Sequence, residues 1–393
     1  MNKALLLCAS HNDLGLIKAL RKLGYYIIAT GNKDNLPGQR WVDQFIKADY
    51  SDKELILSIA KREKIDVICP CCNDFGVYTA AYVAEKLNIG CFDSYETTLT
   101  LHNKDKFKAF SKEHDILTPN AEAFDTEEEA LLYIKKAEFP IIVKPTDASA
   151  GNGINVVDSY EDAIKVVRVA FAKSRVKRIV VEPYISGTQH GFCTFLVNQK
   201  VVAYCSNNEY SILNPYRVEI DTYPADNWES VHSILIEQIE KIAKILELKD
   251  GIFHLQYILR DGIPWIIEVM RRILGNMYSV PANMLTGIDW DYWEVRARCG
   301  CGCDNFPVVV SQEGYYAYKA ILGNRNGIIK SITIPKEYDK YIYDKFFLLH
   351  EGDEITDYMR EPVGFLFMMF SSLDEMKAVL IEQYRNDLVR CDT

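Results

Sequence analysis

The segment Gly251–Asn276, GIFHLQYILRDGIPWIIEVMRRILGN, constrains this chain more than any other stretch. It reads as two strands joined by a short turn at Asp261-Gly262. Side chains alternate faces along a strand. That period puts Phe253, Leu255 and Tyr257 on one face of the first strand, with His254 and Gln256 on the other. In the second strand Ile267 and Val269 share one face, and Glu268, Met270 and Arg272 the other. One face is apolar and packs inward. The opposite face gathers a carboxylate, an amide, an imidazole and a guanidinium. Such a set is either a structural ion pair or the holder of a metal–phosphate complex and an anionic substrate. The rest of the chain decides between them.

A chain of 393 residues exceeds one ordinary core, so two or three domains are expected. A net charge of −10 argues against a nucleic-acid partner but leaves room for a local Lys/Arg cluster that binds small anions. The early apolar run Ala4–Ala9 meets Ser10-His11-Asn12-Asp13 at once, too soon for a signal segment or a membrane span. A cytoplasmic protein without membrane association is therefore expected, with its 11 cysteines as free thiols. Cys299, Cys301 and Cys303 lack the paired spacing of structural zinc ligands, and Cys71-Cys72 is the only other cluster. The default reading of RCGCGCD is a glycine-rich loop with incidental thiols.

Short apolar runs alternate with helical patterns over residues 3–9, a helix to Leu23, Tyr25–Thr30, Ile65–Pro70, a helix over Asp74–Leu87, and a fourth run from Asn88 to Cys91. This is the pattern of a parallel α/β sheet, ending near residue 95. One helix is predicted over Thr97–His114, carrying Lys104, Lys106 and Lys108. Strands then come closer together, at Ile141–Lys144, Ile154–Val157, Ile179–Val181, Phe192–Val197 and Val201–Ser206, with helices at Glu161–Ala172 and Val231–Leu246. That is an α+β domain over residues 96–308. The tail, 309–393, reads as strands at Tyr315–Leu322, Ile328–Ile334, Phe346–Leu349 and Val363–Phe370, then a helix over Leu373–Tyr384.

Two motifs precede the hairpin. In Phe139–Val157, FPIIVKPTDASAGNGINVV, a strand ends in Lys144, a loop carries Ser149, Gly151 and Gly153, and a strand resumes. Such a hairpin lets backbone N–H groups reach phosphate oxygens without Cβ obstruction. It has no GKS/T and no following helix, so it is not a P-loop, and CASHNDLG after the first strand lacks the dinucleotide fingerprint G-x-G-x-x-G. An ordinary hairpin with a surface lysine is the bland alternative. In Ile179–Gly191, IVVEPYISGTQHG, Pro183 interrupts the strand ladder beside Glu182. Free backbone groups next to a carboxylate and an apolar pocket suit a purine ring.

In order and spacing, Lys104, Lys144 with its glycine loop, Glu182-x-x-Ile-x-Gly and the Gln256/Glu268/Arg272 hairpin resemble the ATP-grasp superfamily over essentially the whole chain. The C-terminal GIIKSI, GDEI and EPVGFLFMMFSSLDEM look like the lid of its biotin carboxylase and L-amino acid ligase branch. The resemblance implies an ATP-grasp fold, α/β and α+β, with a Rossmann-like parallel-sheet domain before it and a lid domain after it. It implies that Lys104 and Lys144 bind the nucleotide phosphates, that the glycine loop closes on ATP, and that Glu182, Tyr184 and Ile185 form the adenine hinge. Arg272 matches the substrate-side arginine, and Arg271 is expected to point the other way. Three positions depart from the pattern. Gln189 stands for the ribose-side Glu, Gln256 for the first metal-binding Glu, and Met270 for the metal-binding Asn. Glu268 and Gln256 remain to hold Mg²⁺, which prefers hard oxygen over the sulfur of Met270, so weaker metal binding is expected.

The implied activity is an ATP-dependent carboxylate–amine ligase working through an acyl phosphate, with Arg272, Lys144 and Glu268 as its catalytic set and ATP and Mg²⁺ as its cofactors. The substrates are small carboxylates and amines, an amino acid or sugar acid among them, and a homodimer is compatible. The eroded metal set keeps a second reading open: an ATP-binding protein impaired in catalysis. A nicotinamide dehydrogenase is disfavoured by the missing fingerprint. His254 is equally read as a structural histidine or a site residue.

Overall fold

The structure, a computed structural model, describes residues 1–147, 151–226, 228–307 and 313–392. The chain opens with a parallel four-stranded sheet in the order Gln44–Lys47, Tyr26–Gly31, Lys3–Leu7, Val67–Cys69. Lys3–Leu7 is buried on both faces: Ala4 and Leu6 enter one core cluster, Leu5 and Leu7 another. This explains its unbroken apolar run.

The expected strand over Asn88–Cys91 is not formed. Asn88 closes the helix Asp74–Leu87 in a left-handed conformation, and the Cys91 N–H donates to the Arg298 carbonyl, outside any ladder. The fourth strand is instead Gln44–Lys47, a four-residue edge strand in which Phe45 and Ile46 lie between polar residues, too short a run to stand out in the sequence. The expected helix over 97–114 is two helices, Tyr95–His102 and Lys104–Glu113, broken at the extended residue Asn103. Lys104 therefore opens a helix, and Lys108, one turn on, shares its face.

An antiparallel sheet in the order Glu122–Phe124, Ile179–Pro183, Ile141–Pro145, Asn155–Val157 follows. The helices Glu127–Ile134 and Tyr160–Lys173 cover it through Ala130, Ile134, Ala163 and Val167. Ile141 pairs with Val157 and Val143 with Asn155, so the glycine loop is the tip of a hairpin.

The largest sheet has eight strands, in the order Ile263–Met270, Gly251–Arg260, Thr188–Val197, Lys200–Tyr210, Ile220–Tyr223, Tyr315–Leu322, Pro362–Phe370, Ile342–Phe347. Strands of the tail thus extend the same sheet through the pairing of Ile220–Tyr223 with Tyr315–Leu322. The late helix is shorter than expected: Leu373–Lys377 passes into a π turn over Ala378–Glu382. No helix among the described residues is long and apolar enough to cross a membrane.

Candidate active site

The hairpin of Gly251–Arg260 and Ile263–Met270 turns at Asp261 and Gly262, both at positive φ (53° and 77°), the signature of a tight primed turn. Gln256 pairs with Glu268, and His254 with Met270, so these four share one face. The apolar face differs from expectation in one residue. The register shifts after Gln256, so Tyr257 pairs with Ile266, and Ile267 is the extra residue of a bulge. Ile266 and Val269 pack inward with Phe253, Leu255 and Tyr257, while Ile267 stays half-buried.

The polar row continues across the sheet. Gln256 pairs with Gly191, and Gly191 with Asn207. A Cβ on Gly191 would stand 2.5 Å from Asn207 Oδ1 and 3.0 Å from Glu209 Oε1, so only glycine admits these side chains. Glu209 faces Asp221 directly on the next strand. Both carboxylates are buried, and the sequence reading missed them because the strand expected to end at Ser206 runs on to Tyr210. Gln189 and Gln256 each donate their amide N–H to Glu209 Oε2 at 2.6 Å, and Asn207 donates to Asp221 Oδ1 at 2.9 Å. Burial raises Glu209, against the Gln256 and Gln189 amides, and raises Asp221 well above the carboxylate range with Glu209's charge adding to it.

This arrangement gives Gln256 a reason to be an amide. Its N–H end is taken by Glu209, which turns its oxygen end away from that carboxylate. Gln256→Glu, which puts a carboxylate where the resembled pattern has one, is expected to destabilise the fold and fail to tighten Mg²⁺ alone. The double variant Gln256→Glu/Glu209→Gln is expected to recover stability and bind Mg²⁺ more tightly than wild type. Thermal unfolding with and without Mg²⁺ reads both effects.

Lys104 Nζ lies 3.0 Å from Glu268 Oε1. Burial would lower Lys104, but the Glu268 carboxylate outweighs it and holds the ammonium above its usual range. Lys144 Nζ is 3.2 Å from Glu182 Oε1, and Lys108 Nζ is 3.2 Å from Glu182 Oε2. All three groups are buried. Burial, then the neighbouring Lys144 charge, brings Lys108 down to about 8 against the pull of Glu182. Burial would raise Glu182, and the two lysines hold it low instead. The Glu182 side chain is thus committed to lysines, and only its backbone is left for a hinge contact. Tyr184 is exposed and Ile185 half-buried, while the Tyr184 N–H is taken by the Pro140 carbonyl. Lys108 had no role in the sequence reading, although its four-residue spacing from Lys104 was the available signal.

Gly151 and Gly153 sit at positive φ (71° and 80°). A Cβ on Gly151 would meet the Tyr216 carbonyl at 2.6 Å, and the Val156 N–H donates to the Tyr216 hydroxyl. Ser149 lies outside the described residues. At the hairpin's end the two arginines diverge as expected. Arg271 is buried on Asp93 (2.8 Å) and on the carbonyls of Lys249, Gly251 and Ile252. Arg272 turns instead to the start of the helix Asp74–Leu87, with Nε 2.7 Å from Asp74 Oδ1. His254 is buried with Nδ1 unpartnered among the described residues, and burial with the Arg272 charge brings it down to about 3, so it stays neutral.

The donor set fits Mg²⁺ held chiefly by phosphate and water oxygens. Glu268 and the amide oxygen of Gln256 are hard oxygen donors on cross-strand partners, and the Met270 sulfur is taken up by Arg272 Nη2 at 3.4 Å. No group of three His, Cys, Asp or Glu among the described residues is placed to hold a metal alone. All eleven cysteines are free.

Residues 102–214 match the family model described as phosphoribosylglycinamide synthetase, ATP-grasp (A) domain. The carbamoyl phosphate synthase large chain of Clostridium beijerinckii is 24% identical over 274 residues, 65% of this chain and 24% of that one. The chain thus spans about a quarter of that relative's length. Among solved structures, an L-amino acid ligase from Bacillus licheniformis superposes with a TM-score of 0.83 at 20% identity, over 100% of this chain and 99% of that one. The biotin carboxylase domain of the Hydrogenobacter thermophilus 2-oxoglutarate carboxylase, a dimer in complex with MgADP, ADP and bicarbonate, gives 0.77 at 18% identity, covering 99% and 92%.

Proposed function

We propose that this chain, whose residues 102–214 match an ATP-grasp domain model, is an ATP-grasp enzyme and an ADP-forming carboxylate–amine ligase. The observation that carries the reading is the convergence of Lys104, Lys108, Lys144, Glu182 and Glu268. These groups lie close enough to shift one another's protonation, on elements far apart in sequence. Three ammonium groups against two carboxylates leave a positive excess, which suits a polyphosphate. In this reading residues 1–95 precede the nucleotide-binding unit, 96–308 clamp the nucleotide, and 309–393 form the lid.

A carboxylate is a poor electrophile because its leaving group is oxide. Its oxygen attacks the γ-phosphorus of ATP, the bond to the β-phosphate oxygen breaks, and ADP departs. The amine then attacks the acyl carbon, and phosphate leaves as the amide forms. Lys104 and Lys144 hold the phosphate charge, and the Arg272 fork steadies the carboxylate and the transferring group. Mg²⁺, held by Glu268 and the Gln256 oxygen, would neutralise phosphate charge as a Lewis acid. The glycine loop and lid exclude water that would hydrolyse the acyl phosphate. Gln189, half-buried on Glu209, is left to the ribose side.

The substrates in this reading are small molecules, an amino acid or sugar acid and an amine. A homodimer, a cytoplasmic setting, and no nucleic-acid or membrane partner belong to the same reading. An ADP-release assay over pairs of carboxylates and amines tests it. Release that requires both members of one pair is expected. MgADP binding without release for any pair would favour the alternative that Gln256 and Met270 suggest, a nucleotide-binding protein impaired in catalysis.

A further inference from the structure

Arg272 is held by a chain of contacts that the ligase reading does not require. Its Nε donates to Asp74 Oδ1 at 2.7 Å, Nη1 to the Ile273 carbonyl at 3.1 Å, and Nη2 to the Met270 sulfur at 3.4 Å. A guanidinium has five N–H groups. Among the described residues these bonds use Nε–H and one hydrogen on each terminal nitrogen, which leaves one N–H on Nη1 and one on Nη2 to donate to a carboxylate or phosphoryl group.

Asp74 comes from the other end of the fold. It is the first residue of the helix Asp74–Leu87, where the helix dipole favours a carboxylate. It is also 3.3 Å from Nδ1 of His102, the last residue of the helix Tyr95–His102. The imidazole is almost fully buried, at 1% exposure, and Tyr78 stands edge-on to it at 5.8 Å. The backbone N–H of Arg271 donates to His102 Nε2 at 3.1 Å. A backbone N–H can only donate, so Nε2 is the acceptor and the ring proton sits on Nδ1, facing Asp74. The loop is closed: Arg271 backbone to His102, His102 to Asp74, Asp74 to the Arg272 side chain. Burial alone would raise the Asp74 carboxyl, but the Arg272 charge and the His102 bond hold it well below the carboxylate range.

We propose that Asp74, oriented by His102, is a positioning residue that aims the Arg272 fork at the transferring phosphoryl group. The inference rests on the ligase reading and adds to it a part for the first α/β unit. A side chain as long as arginine would otherwise swing through many rotamers, and each must be given up on binding. Asp74 fixes the Nε edge, the Met270 sulfur fixes one terminal nitrogen, and the fork is set before substrate arrives. Met270, which replaces a metal-binding asparagine of the family pattern, thereby has work on the arginine side of the site.

The test is calorimetric titration of the full chain with MgADP, alone and with aluminium fluoride, which mimics a phosphoryl group in transfer. Wild type is expected to bind MgADP and to tighten when fluoride and aluminium are added. Asp74→Ala is expected to bind MgADP within about twofold of wild type and to lose about tenfold or more of the tightening. Arg272→Ala sets the full loss. Asp74→Asn, whose oxygen still accepts from Nε, is expected to recover most of it, which separates positioning from misfolding. Wild-type tightening in Asp74→Ala beside a loss in Arg272→Ala would overturn the proposal. So would equal losses of MgADP affinity and of tightening in both Asp74 variants. Failure of the wild type to bind MgADP would overturn the ligase reading, and this inference with it.

Discussion

Glu268→Ala is expected to slow ADP release with the productive substrate pair by at least about 100-fold, or about 2.7 kcal/mol of transition-state stabilisation. The effect is large because Glu268 is the one carboxylate left among the positions expected to hold Mg²⁺, with Gln256 beside it offering a neutral oxygen. Its carboxylate is about one-third exposed, at 34%, so the fold is expected to tolerate the loss. Glu268→Gln keeps an oxygen ligand and is expected to retain more activity than the alanine variant. Steady-state ADP release at saturating Mg²⁺ reads the effect. A rate near wild type in Glu268→Ala would show that the metal is held elsewhere.

Glu182→Gln is expected to have the largest effect on stability. The carboxylate lies between Lys144 and Lys108 at 3.2 Å on each side, and its side chain is 2% exposed. Removing one member of a buried ionic set leaves the others uncompensated and costs about 3–5 kcal/mol. Two ammonium groups would be left facing a neutral amide. Denaturant unfolding of the wild type and Glu182→Gln measures the difference. A loss below about 1 kcal/mol, the scale of a surface pair, would mean that water reaches these lysines. Glu182→Gln/Lys108→Met, which removes one of the stranded charges, is expected to recover part of the loss. The sequence reading places Glu182 in the adenine hinge; its buried carboxylate pairs with the lysines, which leaves its backbone for that contact.

Local periodicity carried much of this architecture. The hairpin was legible because alternation and an Asp-Gly turn coincide, but Glu268 reaches the face of Gln256 only through the bulge: the unbroken register set by the turn would pair Gln256 with Ile267. Arg271 and Arg272 were separable because consecutive residues on an extended backbone point apart. The glycine-loop hairpin was legible from Lys144 and the spacing of Gly151 and Gly153. What escaped depends on contacts distant in sequence. Glu209 and Asp221 become a facing pair only when their two strands align, and nothing in NNEYSIL announces it. The strand Gln44–Lys47 has only two apolar residues, Phe45 and Ile46, too short a run to read as a strand. Asp74 and Arg272 are 198 residues apart, and Lys104 and Glu268 are 164 apart. The bulge at Ile267 escaped because strict alternation has no place for an extra residue.

The central claim is that a carboxylate is activated by ATP at the cluster of Lys104, Lys144, Glu268 and Arg272. The most direct measurement uses the substrate pair found by ADP release, with ¹⁸O in both oxygens of the carboxylate. The account predicts that each phosphate released carries one ¹⁸O, transferred when the acyl phosphate breaks down, and that Arg272→Ala abolishes the transfer. Unlabelled phosphate from a wild-type reaction that still forms the amide would contradict it.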